Sequence, residues 1–216
     1  MWACRAVDAC QCGRVSQNQP MDKPFSPACE RNRDAIRDVL REQFADRSNV
    51  LEIGSGTGQH AVYMAAALPH LTWQTSDVAA NLPGIRMWLA DAGLHNTPAP
   101  LTFDINGALP GGRYDAVFTA NTLHILGWAE VERLFARLSQ VMAEHARLTV
   151  YGPFNNSGVF TSPGNAAFDA LLRQDDPKRG IRDFEAVDAL ARAAGLQLRE
   201  DRPMPANNRC ITWQRQ

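Results

Sequence analysis

The chain has 216 residues, 45% of them hydrophobic and 21% charged, which suits one globular domain able to bury about 70% of its unfolded surface. Lys and Arg number 22 and Asp and Glu 23, and the resulting net charge of −1 excludes a broadly basic nucleic-acid binder. No apolar run approaches the ~18 residues of a membrane span, so no membrane partner is expected.

Residues 1–20 lack the apolar core of a signal peptide and hold three of the five cysteines, Cys4, Cys10 and Cys12, with Cys29 and Cys210 further on. Cys10-Gln-Cys12 could begin a metal site, but no second Cys pair or paired His follows at zinc spacing. Incidental reduced thiols, no metal and a cytoplasmic location are expected. Structure signals begin after Met21, so the expectation is a disordered extension over 1–20 and one domain over 21–216.

Ser26-Pro27 opens a helix, with Ser26 as cap and Ile36, Val39, Leu40 and Phe44 on one face. Its arginines alternate with Glu30, Asp34, Asp38, Glu42 and Asp46, a solvated face that argues against nucleic acid. Asn49–Ile53 reads as a strand, 59–68 as a helix stopped by Pro69, and Leu71–Ser76 as a second strand. A helix after Pro83 ends at Gly93; Leu101–Phe103 and Tyr114–Thr119 are the third and fourth strands. Val131, Leu134, Phe135, Leu138, Val141 and Met142 predict one amphipathic helix, and Arg147–Tyr151 a fifth strand. Helices over about Asn165–Arg173 and from Asp183 to Gly195 follow, then two strands, Leu196–Arg202 and Arg209–Trp213, with no helix between them. Five strand–helix alternations and a terminal hairpin predict a seven-stranded, mostly parallel α/β sheet with helices on both faces, Rossmann-like.

The most informative segment is Val50-Leu51-Glu52-Ile53-Gly54-Ser55-Gly56-Thr57-Gly58. Glycines after a first strand allow a tight turn and close backbone approach to a ligand at a helix N-terminus. Their spacing is G-x-G-x-G rather than the G-x-G-x-x-G of dinucleotide sites, and Glu52 completes E-x-G-x-G-x-G. A turn that merely packs a helix on the sheet is the competing reading. Asp77 ends the second strand, 23 residues after Gly54, and Asp104 ends the third. Each acid alone could be a cap or turn residue.

With these residues in place the sequence resembles the class I S-adenosylmethionine-dependent methyltransferases. The resemblance implies that Glu52, Gly54, Ser55, Gly56 and Gly58 form the loop around the methionine part of the cofactor. It implies further that Asp77 takes the ribose hydroxyls, that Asp104 and Ile105 meet the adenine, and that the helix bearing Arg31 and Asn32 closes over the cofactor. The terminal hairpin also matches. After the fourth strand stands Ala120-Asn121-Thr122-Leu123-His124, without the (D/N)-P-P-(Y/F) motif of amino-methylating enzymes of DNA and protein glutamine. Asn-x-x-His there is similar to small-molecule methyltransferases, with Asn121 in the cofactor site; a His124 buried on backbone partners is the alternative. Together with Ser26–Asn32, Tyr151–Asn155, Gly180–Glu185 and Met204–Asn208, these segments resemble a small methyltransferase-like family catalogued as a domain of unknown function, over about residues 22–214. Where that family turns into its fifth strand through Pro-Gly-Gly, this chain has Ala143–Ala146, expected to alter a surface turn.

Methyl transfer from a sulfonium needs alignment and exclusion of water, and a base only where the acceptor must lose a proton. His124 and Tyr151 are the candidates for that work. Asp169, Arg182, Asp183 and Asn207 are candidates to wall the acceptor; their plainer roles are surface charge, helix capping for Asp183 and turn chemistry for Asn207. The expected function is methyl transfer to a small molecule. The alternatives are a catalytically silent cofactor-binding module that regulates a partner protein, and a nicotinamide-dependent dehydrogenase, which the glycine spacing disfavours.

Overall fold

In the computed structural model, residues 22–216 are described. Residues 1–20, with the proposed extension and Cys4, Cys10 and Cys12, lie outside the described residues. The elements run α1 (Pro27–Gln43), β1 (Asn49–Ile53), α2 (Gln59–Ala67), β2 (Thr72–Asp77), α3 (Leu82–Ala92), β3 (Leu101–Thr102), β4 (Tyr114–Ala120) and α4 (Trp128–Leu138). Then follow β5 (Met142–Asn155), α5 (Pro163–Asp175), β6 (Arg182–Asp183), α6 (Phe184–Ala193), β7 (Leu196–Met204), a 3-10 turn (Pro205–Asn207) and β8 (Asn208–Arg215).

The sheet order is β3-β2-β1-β4-β5-β8-β7, with β6 pairing β5 off this path. β1 pairs in parallel with β2 and β4, and β4 with β5, whereas β8 runs antiparallel to both β5 and β7. Seven strands therefore form the main path, mostly parallel, with the antiparallel hairpin at its end. The chain order reverses between β1 and β4, which opens a crevice at the carboxyl ends of the strands.

Two apolar layers cover the sheet. Ile36, Val39 and Leu40 of α1 pack with Met64 of α2 and Ile85 of α3 on one face. Val131, Leu134 and Phe135 of α4 pack with Val187 and Ala191 of α6 and Trp213 of β8 on the other. These are the i, i+3, i+4 stripes visible in the sequence, because an amphipathic helix gains its stability by burying one face.

Several expectations need correction. The helix ending at Met142 is two elements: α4 stops at Leu138, and Met142 already belongs to β5, paired with Tyr114. Val141 and Met142 are 2% and 0% exposed, so burial extends the apolar series past the end of the helix. Ala143–Ala146 is no turn but the irregular start of β5, with a register shift opposite Tyr114 and Ala116 and His145 at φ 57°. β6, two residues long, has too short a run to show a period. Ser26 holds the cap position of α1 and Asp183 that of α6, yet neither side chain makes a capping hydrogen bond. No helix among the described residues is long and apolar enough to cross a membrane.

Phe135, 1% exposed, meets the Trp213 ring edge-on at 6.4 Å, with the Trp213 indole N–H donating to Asp188. Phe135→Ala leaves a cavity there and is expected to cost about 3–5 kcal/mol in urea unfolding; a loss under about 1 kcal/mol would show that this layer collapses around the gap.

Candidate functional site

A cleft of about 1340 Å³ opens at the carboxyl ends of β1 to β5. The turn after β1 is built to a narrow specification. Ser76 of β2 accepts the Gly54 and Ser55 N–H groups at 3.0 and 3.1 Å, and its hydroxyl donates to the Glu52 carbonyl at 2.7 Å. Gly54, Gly56 and Gly58 have φ of 73°, 58° and 92°, the left-handed region that favours glycine. A side chain on Gly54 would begin 2.9 Å from the Thr122 hydroxyl, whereas a Cβ on Gly56 would point into open space with nothing beyond its chain neighbours within 4 Å. Open space there, in a turn that is otherwise tightly held, is room for a ligand.

Glu52 lies beneath this turn rather than in the cleft, 2% exposed. Its Oε2 accepts from the Ser55 hydroxyl at 2.9 Å and the Trp73 indole N–H at 3.0 Å. Burial pushes the carboxyl up to about 7 against the pull of those two hydrogen bonds. Gly58 also lies outside the cleft; it precedes α2, and a Cβ there would come within 3.2 Å of Ile85 Cα.

Arg31, Asn32, Gly54, Ser55, Gly56, Asp77, Asp104, Ile105, Asn121, His124, Tyr151 and Asn207 all line the cleft. Asp77 Oδ2 accepts the Gly56 N–H at 2.6 Å, and Oδ1 accepts from Val78 N–H and the Asn81 amide at 2.7 and 2.9 Å. Asp104 Oδ1 accepts the Asn106 N–H at 2.8 Å. Asn121, at φ 57°, donates its N–H to the Tyr151 carbonyl at 2.8 Å, so the end of β4 is held beside β5 at the cleft floor.

Asp169, Arg182 and Asp183 do not reach the cleft. Asp169 accepts from Arg173 Nε at 2.6 Å and from Ile181 N–H at 2.7 Å. Arg182 donates to the carbonyls of Leu123, Leu126 and Lys178 and so ties down the loop that carries His124. Asp183 accepts the Gly158 N–H at 3.1 Å. All three are occupied in holding loops around the site, because their side chains have nearer backbone and guanidinium partners than the cleft.

Residues without a role in the sequence reading also converge here. Trp88 N–H donates to the Pro24 carbonyl at 2.7 Å, and Gln59 Nε2 donates to Glu30 at 2.9 Å, which together lay α1 across the glycine turn. Cys29 and His60 thereby enter the lining, with His60 Nδ1 3.8 Å from the Cys29 sulfur and Nε2 2.7 Å from Asn32 Oδ1. Asn165 and Phe168 reach it from α5. Helical spacing in α2 gave no hint of His60, since its partners come from α1, some thirty residues earlier. Among the described residues, no group of three or more His, Cys, Asp or Glu is placed to hold a metal ion.

The crossover at β1/β4, the glycine turn beneath it and the antiparallel β8 define a class I methyltransferase-like fold. The chain belongs to the family described as "Protein of unknown function (DUF938)", which it matches over residues 23–215. It is similar to the S-adenosylmethionine-dependent methyltransferase SibL in its apo form (22% identity, TM-score 0.74, 87% of this chain and 55% of that one). It is also similar to the mitomycin 7-O-methyltransferase MmcR (21%, 0.72, 88% and 57%) and to human N-acetylserotonin methyltransferase in complex with SAM (13%, 0.67, 85% and 54%). At these identities the likeness is one of fold, and the chain spans little more than half the length of each.

His60 and His124 are 6% and 5% exposed, and burial holds each down to about 4, with Arg182 adding to the effect at His124. A histidine kept neutral when folded but titrating near 6.5 when unfolded contributes stability that is complete above 6.5 and is lost as the pH falls toward 4. Glu52, raised from 4.5 to about 7, has the opposite sign: its contribution is complete below 4.5 and is lost as the pH rises through 7. Comparing His124→Phe with the parent chain isolates one histidine. The variant is expected to gain on the parent by up to about 1.4 kcal/mol per pH unit between 6.5 and 4. A difference constant across that range in urea titrations would mean that His124 is not held neutral.

Proposed function

We propose that the chain is an S-adenosylmethionine-dependent methyltransferase acting on a small-molecule acceptor. The observation that carries this reading is one continuous cleft that joins the glycine turn, Asp77 and Asp104 to His124 and Tyr151. The residues fit the cofactor. The Gly54–Gly58 turn, with its open space at Gly56, would hold the methionine end, and Asp77 the ribose hydroxyls. Asp104 and Ile105 would meet the adenine, while Arg31, exposed on α1, and Asn32 beside it close the methionine side. When bound, this cofactor supplies a methyl group activated on a sulfonium.

The chain's own part is to bind, orient and move a proton. His124 is neutral near pH 7, so its imidazole can take a proton from an acceptor hydroxyl as that oxygen attacks. Among the described residues no hydrogen-bond partner saturates its ring, and Nδ1 faces the Gly152 backbone, 3.8 Å from where a Cβ would stand. Burial raises the Tyr151 phenol above its ordinary range, only partly offset by Asn32. Tyr151 therefore stays protonated and serves as a donor that orients the acceptor rather than as a base. Two of the similar proteins, MmcR and N-acetylserotonin methyltransferase, are named for small-molecule acceptors, which supports an acceptor of that kind here. A silent module with a closed acceptor pocket fits poorly with a cleft of about 1340 Å³.

Isothermal titration with S-adenosylmethionine, S-adenosylhomocysteine and NAD⁺ in parallel tests the reading. Micromolar binding of the first two and none of NAD⁺ is expected. Asp77→Ala should weaken S-adenosylhomocysteine binding at least about tenfold in a chain that still folds. Binding of NAD⁺ alone would replace the reading with a dehydrogenase, and silence from all three would favour the partner module. With an acceptor in hand, kcat/KM is expected to lack a fall near 6.5 and to decline only toward pH 4, where His124 charges. A break near 6.5 that His124→Phe abolishes would contradict the neutral imidazole.

A further inference from the structure

We infer that the part of the cleft beyond His124, between α5 and the β7–β8 turn, is a subsite for an uncharged ring compound bearing a hydrogen-bond donor, and that Asn165 selects for that donor. The inference rests on the methyltransferase reading for its reaction, but the subsite stands on its own geometry.

The first observation is the distribution of charge. The charged side chains that line the cleft are Asp77, Asp104, Glu130 and Arg31, which come from β2, the segment after β3, α4 and α1. Glu130 is already engaged, accepting from Gly127 N–H at 2.8 Å and the Asn106 amide at 3.2 Å. The lining contributed by α5, by the β7–β8 turn and by Pro153 carries no charge. A carboxylate or ammonium group placed there would lose its hydration with no counter-charge to replace it.

The second observation is Asn165, 7% exposed and lining the cleft. Its Nδ2 donates to Thr161 Oγ1 at 2.8 Å and to the Asn207 carbonyl at 3.3 Å. A carbonyl can only accept, so this second bond settles which way the amide points. Oδ1 is left without a donor among the described residues. Such an acceptor is costly to desolvate unless a ligand brings it a hydrogen. The Asn207 carbonyl that orients the amide belongs to a turn in which Ala206 and Asn207 both adopt left-handed φ, 57° and 56°. Two successive non-glycine residues in that region are a cost the fold retains at the rim of the cleft.

The third observation is Phe168, one turn beyond Asn165 on the same face of α5. Its ring meets His124 edge-on at 5.4 Å, and the residue lines the cleft and is 39% exposed. An aromatic ligand would stack on the free area of Phe168, directing a hydrogen to Asn165 Oδ1 and its reacting hydroxyl to His124. In that reaction the oxygen–methyl bond forms as the sulfonium–methyl bond breaks, and the hydroxyl proton passes to His124, leaving a neutral thioether.

A ring-matched series tests the subsite: 2-naphthol, 2-methoxynaphthalene, 2-naphthoate and 2-naphthylmethylammonium, titrated by ligand-observed NMR with and without saturating S-adenosylhomocysteine. 2-Naphthol is expected to bind at least about tenfold tighter than each of the others. Asn165→Ala should bring 2-naphthol down to the level of 2-methoxynaphthalene with S-adenosylhomocysteine binding unchanged, and Asn165→Asp should move the preference toward the ammonium compound. Should either variant fail to fold, the order of the four probes on the parent chain decides. No binding of 2-naphthol in either condition, or 2-naphthoate or 2-methoxynaphthalene binding as tightly, overturns the subsite. Selective 2-naphthol binding without any binding of S-adenosylhomocysteine would instead remove the cofactor reading and leave the subsite in place.

Discussion

The buried carboxyl of Glu52 is the tie on which the site depends. It stands near the end of β1 and receives the Trp73 indole from the neighbouring strand and the Ser55 hydroxyl from the turn above. Ser76 closes the same junction from β2 through its carbonyl and hydroxyl. A buried acceptor is tolerated only when donors satisfy it, so the need to pair this carboxyl fixes the start of the turn relative to both strands. The positions of Gly56 and of Asp77, which accepts the Gly56 N–H, follow from it.

The remainder of the cleft is arranged by helices that arrive from distant parts of the chain. α1 lies across the glycine turn because Pro24 is held by Trp88 and Glu30 by Gln59, and this closure brings Asn32 and His60 together. The loop after β4 is held by Arg182, whose guanidinium spans three carbonyls and whose positive charge reinforces the effect of burial on His124. Low exposure acts in two directions here. It keeps the imidazoles of His60 and His124 neutral, and it keeps the Tyr151 hydroxyl protonated, able to donate a hydrogen bond.

Much of this was legible from one dimension. The E-x-G-x-G-x-G turn after a strand, with acids at or just past the ends of the next two strands, already pointed to a crevice at the carboxyl edge of a parallel sheet. The amphipathic stripes of α1, α4 and α6 announced the faces that cover it. The boundary between α4 and β5 was not legible, because Val141 and Met142 are buried in the same apolar layer whether helical or extended. Nor was the fate of Asp169, Arg182 and Asp183: charged residues look alike in one dimension until their partners are known, and these three found theirs away from the cleft.

By itself, the sequence determined what depends on neighbours in the chain: turn conformation at glycines, helix faces by period, strand ends by their acids, and through these the sheet and the location of its crevice. Only the tertiary structure decided what depends on neighbours in space. Hydrogen-bond satisfaction and desolvation act over a few ångströms and ignore sequence separation, so His60 could enter the cleft only once α1 covered α2. By the same rule, Asn165 shows a bare carbonyl oxygen only because Thr161 and the Asn207 carbonyl, 42 residues away, hold its amide nitrogen.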